Sequence, residues 1–544
     1  MRAVDRAALA LVVFALHRPP AAAAPEAAYF YPGGGQRGQT VVVSVGGSLP
    51  HWPVSFWSSC GEVKVAAMEE KGQAQIEIPS TVETGVIWLR SYDQDGASAP
   101  RPWVIGSTPE VVEQEPNDQL AESELVPCAD APLQTVAVNG RLDPTGDVDV
   151  FAVDVREGQT LVADVDAHAV LASAFDGVLQ ILRPDGFVAA HNDDCQGLDP
   201  QVATVADQSG RWMVRVFGFP ETPTQQVQLA GDAAYVYRLT LSTGPVVHHA
   251  LPLAARRDHC VRFAVHGWNL TDGLRSVSLR PDSAQSEVAI GERVFGRTIR
   301  LPLFEFPVRV EAESDDDAQP TVVELPTSVS GRINRPGDRD AIHFDVVKDE
   351  TVSIDLRSRD LGFPLDGVLE LFDAKDQRVA RVDDNGAQRD PRLQHRAAAD
   401  GRMRLVVSDL HGRGGPEFAY RVTIVRSEPS FRLTSESHQA VVKPGETTDV
   451  PVNVERQLGF DEAIEFHAEG LPRGVVANSP ISKPGDDESA VKVVIALSAA
   501  DDVAPASAPF VIVGKSTSAG SEPVRFSTPG HPTGLSDLWL TVTK

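Results

Sequence analysis

The sequence predicts an all-β protein, a series of tandem antiparallel β-sandwiches, and three observations carry that prediction. Apolar and polar residues alternate with a period of two almost throughout, as in Thr40-Val-Val-Val-Ser-Val45, Gln75-Ile-Glu-Ile78 and Arg211-Trp-Met-Val-Arg-Val-Phe217, which is the pattern of strands with one buried face. Gly and Pro, 43 and 40 residues, fall between short Val-rich runs and set turns roughly every ten positions. One long segment recurs later in the chain, and a recurring segment marks a folding unit. At about 150 residues per domain, 544 residues make several such units.

Composition narrows the partners. Hydrophobic residues are 42% and charged residues 23%, which excludes wholesale disorder. Lys+Arg 49 against Asp+Glu 76 leaves a net charge of −27, the wrong sign for nucleic acid or anionic lipid. Divalent cations fit that balance better.

Taken in order, the chain begins with Arg2 and Arg6, an apolar run from Ala7 to Leu16, Pro19, Pro20 and an alanine tract. That is the order of a secretory signal over residues 1–24, with a mature N-terminus between Ala22 and Ala28, so a secreted, periplasmic or envelope location is expected. No later apolar run approaches the roughly 20 residues of a membrane-spanning helix. Residues 25–110 read as an immunoglobulin-like sandwich containing Gly46-Gly-Ser-Leu49. Residues 111–243 form the first repeated module, opened by Glu113-Gln-Glu-Pro-Asn-Asp118 and closed by Tyr237-Arg-Leu-Thr240. Residues 244–310 form a smaller immunoglobulin-like unit with the related cue Gly267-Trp-Asn-Leu270.

The second repeated module occupies residues 311–427. Val329-Ser-Gly-Arg-Ile-Asn-Arg-Pro-Gly-Asp-Arg-Asp340 answers Val138-Asn-Gly-Arg-Leu-Asp-Pro-Thr-Gly-Asp-Val-Asp149, and Leu365-Asp-Gly-Val-Leu-Glu-Leu-Phe372 answers Phe175-Asp-Gly-Val-Leu-Gln-Ile-Leu182. Asp383-Asp384 and Asp390-Pro391 answer Asp193-Asp194 and Asp199-Pro200, and Tyr420-Arg-Val-Thr423 closes the copy. Residues 428–544, with Lys443-Pro-Gly-Glu446 and the alternating strand Asp449-Val-Pro-Val-Asn-Val454, read as a C-terminal immunoglobulin-like sandwich.

On these motifs the two repeated modules resemble bacterial pre-peptidase C-terminal domains, the jelly-roll-like modules related to the collagen-binding domains of clostridial collagenases. The resemblance implies a jelly-roll-like sandwich, secretion and calcium binding. It also implies that the lead-in and the Gly-Asp-x-Asp loop meet around one ion. The family's usual peptidase has no room in this chain.

Calcium takes six to eight oxygen ligands in flexible geometry. The first copy offers Glu113, Glu115, Asn117, Asp118, Asp147 and Asp149, and the second offers Glu311, Glu313, Asp315, Asp316, Asp338 and Asp340. In an extended lead-in Glu113, Glu115 and Asn117 share a face. A run such as Asp315-Asp-Asp317 reads equally well as a solvated linker. Asp193-Asp194 reads first as turn chemistry.

Cys60, Cys128, Cys195 and Cys260 have no zinc-site spacing. Cys128 and Cys195 both lie in the first module, and Asn385 stands where Cys195 would recur, so Cys128–Cys195 is the disulfide candidate. No GxSxG, HExxH or P-loop is present, and no enzyme is expected. His191, beside Asn192-Asp-Asp194, is the most tempting catalytic group, and its counterpart in the second copy is Arg381. Trp212, Phe217, Phe219 and Tyr235 could form a ligand platform, but Trp212 alternates with Val214 and Val216 as a core face would. Asn269-Leu-Thr271 fits a glycosylation sequon.

Three functions compete. The first is a non-enzymatic secreted protein that binds an extracellular or envelope polymer, protein or polysaccharide, with calcium-rigidified junctions. The second is an elongated spacer or scaffold of the cell envelope, and the third a hydrolase with a site outside these motifs.

Overall fold

The computed structural model describes residues 23–127, 134–193, 195, 197–220, 228–282, 286–291, 299–311, 321–384, 389–528 and 531–543. The signal segment up to residue 22, Cys128, Asp194, Glu313, Asp315, Asp316 and Asn385 lie outside them. Among the described residues the regular structure is almost entirely strand, with three helical turns of three or four residues. No helix among them is long and apolar enough to cross a membrane.

Ten sheets follow one another in pairs. Strands Glu26–Tyr31, Thr40–Ser48, Gln73–Glu77 and Lys64–Ala67 form one sheet of the first pair, and strands between Gly34 and Gly106 form its partner. Val43, Val45, Ile76, Leu89 and Trp103 fill the space between them. The indole N–H of Trp103 would be stranded there, and it donates to the Pro32 carbonyl at 2.9 Å.

The two repeated segments fold alike. Each is a pair of five-stranded sheets with the same strand order, and Asp149 lies opposite Val216 as Asp340 lies opposite Val407. The first has Phe151, Trp212 and Tyr237 in its core; the second has Phe344 and Tyr420. Between them sit two three-stranded sheets around Phe263. The chain ends in two six-stranded sheets over Phe466, Phe510 and Leu540.

The inner ladders are antiparallel, as the alternation and short turns require, except that Ser430–Ser435 pairs in parallel with Arg525–Thr528 inside one sheet of the last sandwich. Short margin strands depart from that pattern: Glu110–Val112 pairs in parallel with Thr135–Arg141, and Glu124–Leu125 with Asp149–Val155. Each is reached by a crossing connection rather than a hairpin, which makes the pairing parallel. These margin strands hold the acidic lead-in against the first repeated sandwich.

The first sandwich packs on the last. Arg90, 1% exposed, donates to the carbonyls of His438 and Asp537 at 3.3 and 3.4 Å. Its guanidinium lies 5.8 and 5.4 Å from the rings of Phe526 and Trp539, while Tyr92 packs against Trp539 at 4.8 Å. A buried guanidinium is tolerated only with such acceptors and π faces around it.

Candidate metal centre

The lead-in is seated by its backbone. Glu113 N–H donates to the Asn139 carbonyl at 3.1 Å, and Val150 N–H donates to the Asn117 carbonyl at 3.1 Å, so the segment spans the edges of both sheets. Glu113 Oε1 accepts from Arg141 N–H at 2.8 Å and from the Tyr31 hydroxyl at 3.0 Å. Tyr31 belongs to the preceding sandwich, and the Arg141 guanidinium sits 4.9 Å over its ring. The Tyr237 hydroxyl lies 2.5 Å from Asp149 Oδ2 and 3.3 Å from Glu113 Oε2, one proton facing two carboxylates.

The structure brings the five predicted carboxylates of the first copy together as two overlapping triads. Glu113, Glu115 and Asp149 have ligand oxygens within 4.8 Å of one another, as do Glu115, Asp118 and Asp147. Glu115 joins the two. Asn117 lies among them in sequence but is turned fully inward, 0% exposed, so it does not share an exposed face with Glu115. Neither its Oδ1 nor its Nδ2 has a hydrogen-bond partner, and Asp149 Oδ1 has none.

The electrostatics match the geometry. Burial lifts Glu113 to about 7, against the pull of Arg141 N–H and Tyr31. Burial also lifts Asp147 to about 6, with hydrogen bonding to Asp118 and the charge of Glu115 adding to it. Asp149 is pushed well above its ordinary range by burial and then by the charge of Glu113. Acids held this way require either protons or a cation. Asp147 is aimed by its own turn: its Oδ2 accepts from Asp143 N–H at 2.6 Å and its Oδ1 from Val148 N–H at 2.8 Å.

The second copy reproduces the inner part. Glu311 Oε1 accepts from Arg332 N–H at 3.2 Å. The Tyr420 hydroxyl lies 2.6 Å from Glu311 and 2.7 Å from Asp340. Asp338 Oδ2 accepts from Asn334 N–H at 2.9 Å, as Asp147 does from Asp143. Burial, then the Asp340 charge, pushes Glu311 up to about 9. Glu313, Asp315 and Asp316 are outside the described residues, so of the predicted second site Glu311, Asp338 and Asp340 are seen.

The two tyrosines and Tyr31 are the functional groups that sequence reasoning missed. A signal existed in the repeated Gly140-Arg141 and Gly331-Arg332. A Cβ on Gly140 would lie 2.3 Å from the Tyr237 hydroxyl and 2.4 Å from Glu113 Oε2. One on Gly331 would lie 2.4 Å from the Tyr420 hydroxyl and 2.5 Å from Glu311 Oε2. Glycine is what lets the tyrosine and the glutamate meet.

Other sequence expectations fall elsewhere. His191 is exposed, and Asn192 Oδ1 accepts from Gln201 N–H at 3.1 Å, a fold-holding bond. Trp212 is core at 1% exposed, while Phe217 and Phe219 form a half-buried edge-to-face pair. The Asn269 amide nitrogen donates to the Thr160 and Gly244 carbonyls at 3.0 and 2.9 Å, so the sequon's acceptor atom is engaged in packing. Cys60 and Cys260 carry no disulfide. The Cys128–Cys195 pairing rests on a residue outside the described set.

No protein-family model matches the chain, and no curated protein matches it. Among solved structures it is similar to the pre-peptidase C-terminal domain of collagenase from Bacillus anthracis, at 17% identity, over 20% of this chain and 99% of that one, with a TM-score of 0.16. It is also similar to the fibronectin(III)-like modules of Clostridium thermocellum CbhA, at 13% identity over 42% of this chain and 92% of that one, with a TM-score of 0.13. A third likeness is to the N-terminal four Ig domains of Dscam1 isoform 8.4, at 10% identity over 92% of this chain and 96% of that one, with a TM-score of 0.18. At such scores these likenesses carry no argument about function, and the chain stands as a multi-domain protein of β-sandwiches.

Proposed function

We propose that this chain is an exported, non-enzymatic binding protein whose repeated modules engage an extracellular or envelope polymer, protein or polysaccharide, with calcium fastening the lead-in to the first module. The observation that carries the cation is Asn117, an amide at 0% exposure with no partner for either polar atom, in a lead-in that supplies three of the five clustered carboxylates. A carbonyl and carboxylates with unused lone pairs form the oxygen set that calcium takes. Ca²⁺ would be held by Glu113, Glu115, Asp118, Asp147 and Asp149, with the Asn117 carbonyl as a further donor.

Calcium at this place would act on geometry. Glu113 is tied to Tyr31 of the first sandwich, so an ion on Glu113 and Asp149 would stiffen the junction between the two units. Two weak modules on one chain gain avidity if both reach the same polymer. The full chain should be retained on collagen-like, cell-wall or polysaccharide matrices in calcium and released by chelator. Failure to be retained on any of them would refute the polymer reading.

A further inference from the structure

A cavity of about 760 Å³ lies where the two repeated modules, the small middle unit and the last sandwich converge, within the usual size of a small-molecule site. Its construction is repeated. Asp199 accepts from the N–H groups of Ala167, His168 and Ala169 at 3.1, 2.6 and 3.0 Å. Asp390 accepts from those of Ser358, Arg359 and Asp360, each at 2.9 Å. The buried carboxylates thus pin equivalent turns, His168–Leu171 and Arg359–Leu361, and both turns line the one cavity. His168 and Arg359 stand at matched places on its wall.

The middle unit adds His248, His249 and Arg300, and the last sandwich adds His531. The sole acid among the described lining residues is Asp360, paired with Arg357 at the end of the strand that leads into the turn. The two guanidiniums of the wall also meet carboxylates set behind it, Arg359 with Asp366 at 4.0 Å and Arg300 with Glu83 at 3.9 Å, and burial holds His249 neutral, so the wall is a set of N–H donors rather than a patch of net charge. Two atoms in that wall are buried without a hydrogen-bond partner, His249 Nε2 and Arg359 Nε. His249 itself is 5% exposed. Its Nδ1 lies 2.8 Å from His248 Nδ1, so one ring donates to the other across that contact, and His249 Nε2 on the far side is a buried polar atom with no partner. Phe363 fixes both rings edge-on, at 5.8 and 5.2 Å.

We propose that this cavity binds a small organic oxyanion, its carboxylate, phosphate or sulfate held by His168, His249 and Arg359 and its apolar part against Leu253, Leu361 and Phe363. Guanidinium groups match oxyanions in charge and donor geometry, and imidazole N–H groups match them in donor geometry. None of these residues belongs to the calcium cluster, so the two readings stand or fall separately.

The test is calorimetric titration of the full chain with inorganic phosphate, inorganic sulfate, phenyl phosphate and glucuronate. Saturable binding is expected for phenyl phosphate or glucuronate, tighter than for the inorganic ions, and the arm that saturates identifies the anionic group. Losing one charge-assisted hydrogen bond should weaken that binding about tenfold in His168→Ala and in Arg359→Ala, with Arg402→Ala, an exposed residue paired with Asp345, unchanged. Thermal melts report folding of each variant, and Arg359→Gln, which removes the charge and keeps most of the length, replaces Arg359→Ala if that one fails to fold. Absence of saturation with all four probes, or wild-type affinity in the cavity variants, would overturn the proposal.

Discussion

Tyr237 and Asp149 stand on opposite sheets of one sandwich, and the tyrosine hydroxyl reaches the aspartate at 2.5 Å. The bond crosses the core and ends beneath the lead-in, where Glu113 takes the other side of the same hydroxyl. A buried proton therefore links the two layers of the sandwich to the segment that joins it to its neighbour. Removing the hydroxyl by Tyr237→Phe leaves two buried carboxylates short of a donor and should cost about 1–3 kcal/mol. Urea unfolding in chelator measures it, and an unchanged midpoint would show that the hydroxyl adds nothing.

Gly140→Ala and Gly331→Ala should each be destabilising, because the new methyl group would occupy the space where tyrosine meets glutamate. Overpacking of this kind costs about 1–3 kcal/mol. Gly273→Ala is the control, since nothing lies within 4 Å of the added atom. Equal melting temperatures for all three variants would contradict the close approach.

Calcium should raise the melting temperature of the wild-type chain and not that of Glu115→Ala/Asp149→Ala. An ion bound by the folded chain alone stabilises by about 2.7 kcal/mol at a hundredfold excess over Kd. With dissociation constants of extracellular sites near 10⁻⁴ to 10⁻³ M, the rise should develop at roughly millimolar calcium and be weak with magnesium. The same rise in wild type and double variant would mean that the ion binds elsewhere and that these carboxylates do not hold it.

Glu311 gives a pH dependence of definite sign. Its folded value of about 9 stands above the ordinary 4.5, so between those values the folded chain holds a proton that the unfolded chain has released. Its contribution is full below about 4.5 and is lost as pH rises through about 9, and stability falls with rising pH across that window. Glu311→Gln, which keeps a neutral donor at all pH values, should flatten the decline in chelator. A variant whose stability still falls in parallel with wild type would place the proton elsewhere.

The repeated motifs were legible because their chemistry is local. Asp147 and Asp338 each cap the turn that carries them, so Gly-Asp-x-Asp is readable within a few residues. The lead-in carboxylates were legible as an acidic cluster, but its division about Glu115 and the inward turn of Asn117 depend on the edges of two sheets. The partners of Tyr237 lie 88 and 124 positions away, and no periodicity reports such a distance. Asp199 and Asp390 were visible as repeated Asp-Pro pairs, whereas the facing of their turns into one cavity is a property of how the sandwiches pack.

The packing of Arg90 also has a consequence in time. Its acceptors lie 348 and 447 residues further along the chain, and synthesis proceeds from the N-terminus. The first sandwich thus completes its own sheets long before anything exists to receive that guanidinium. Until the last sandwich emerges, a charge and an aromatic surface destined for burial face solvent. A chain cut short before residue 438 would keep that surface open to proteases and chaperones however well its earlier modules had folded.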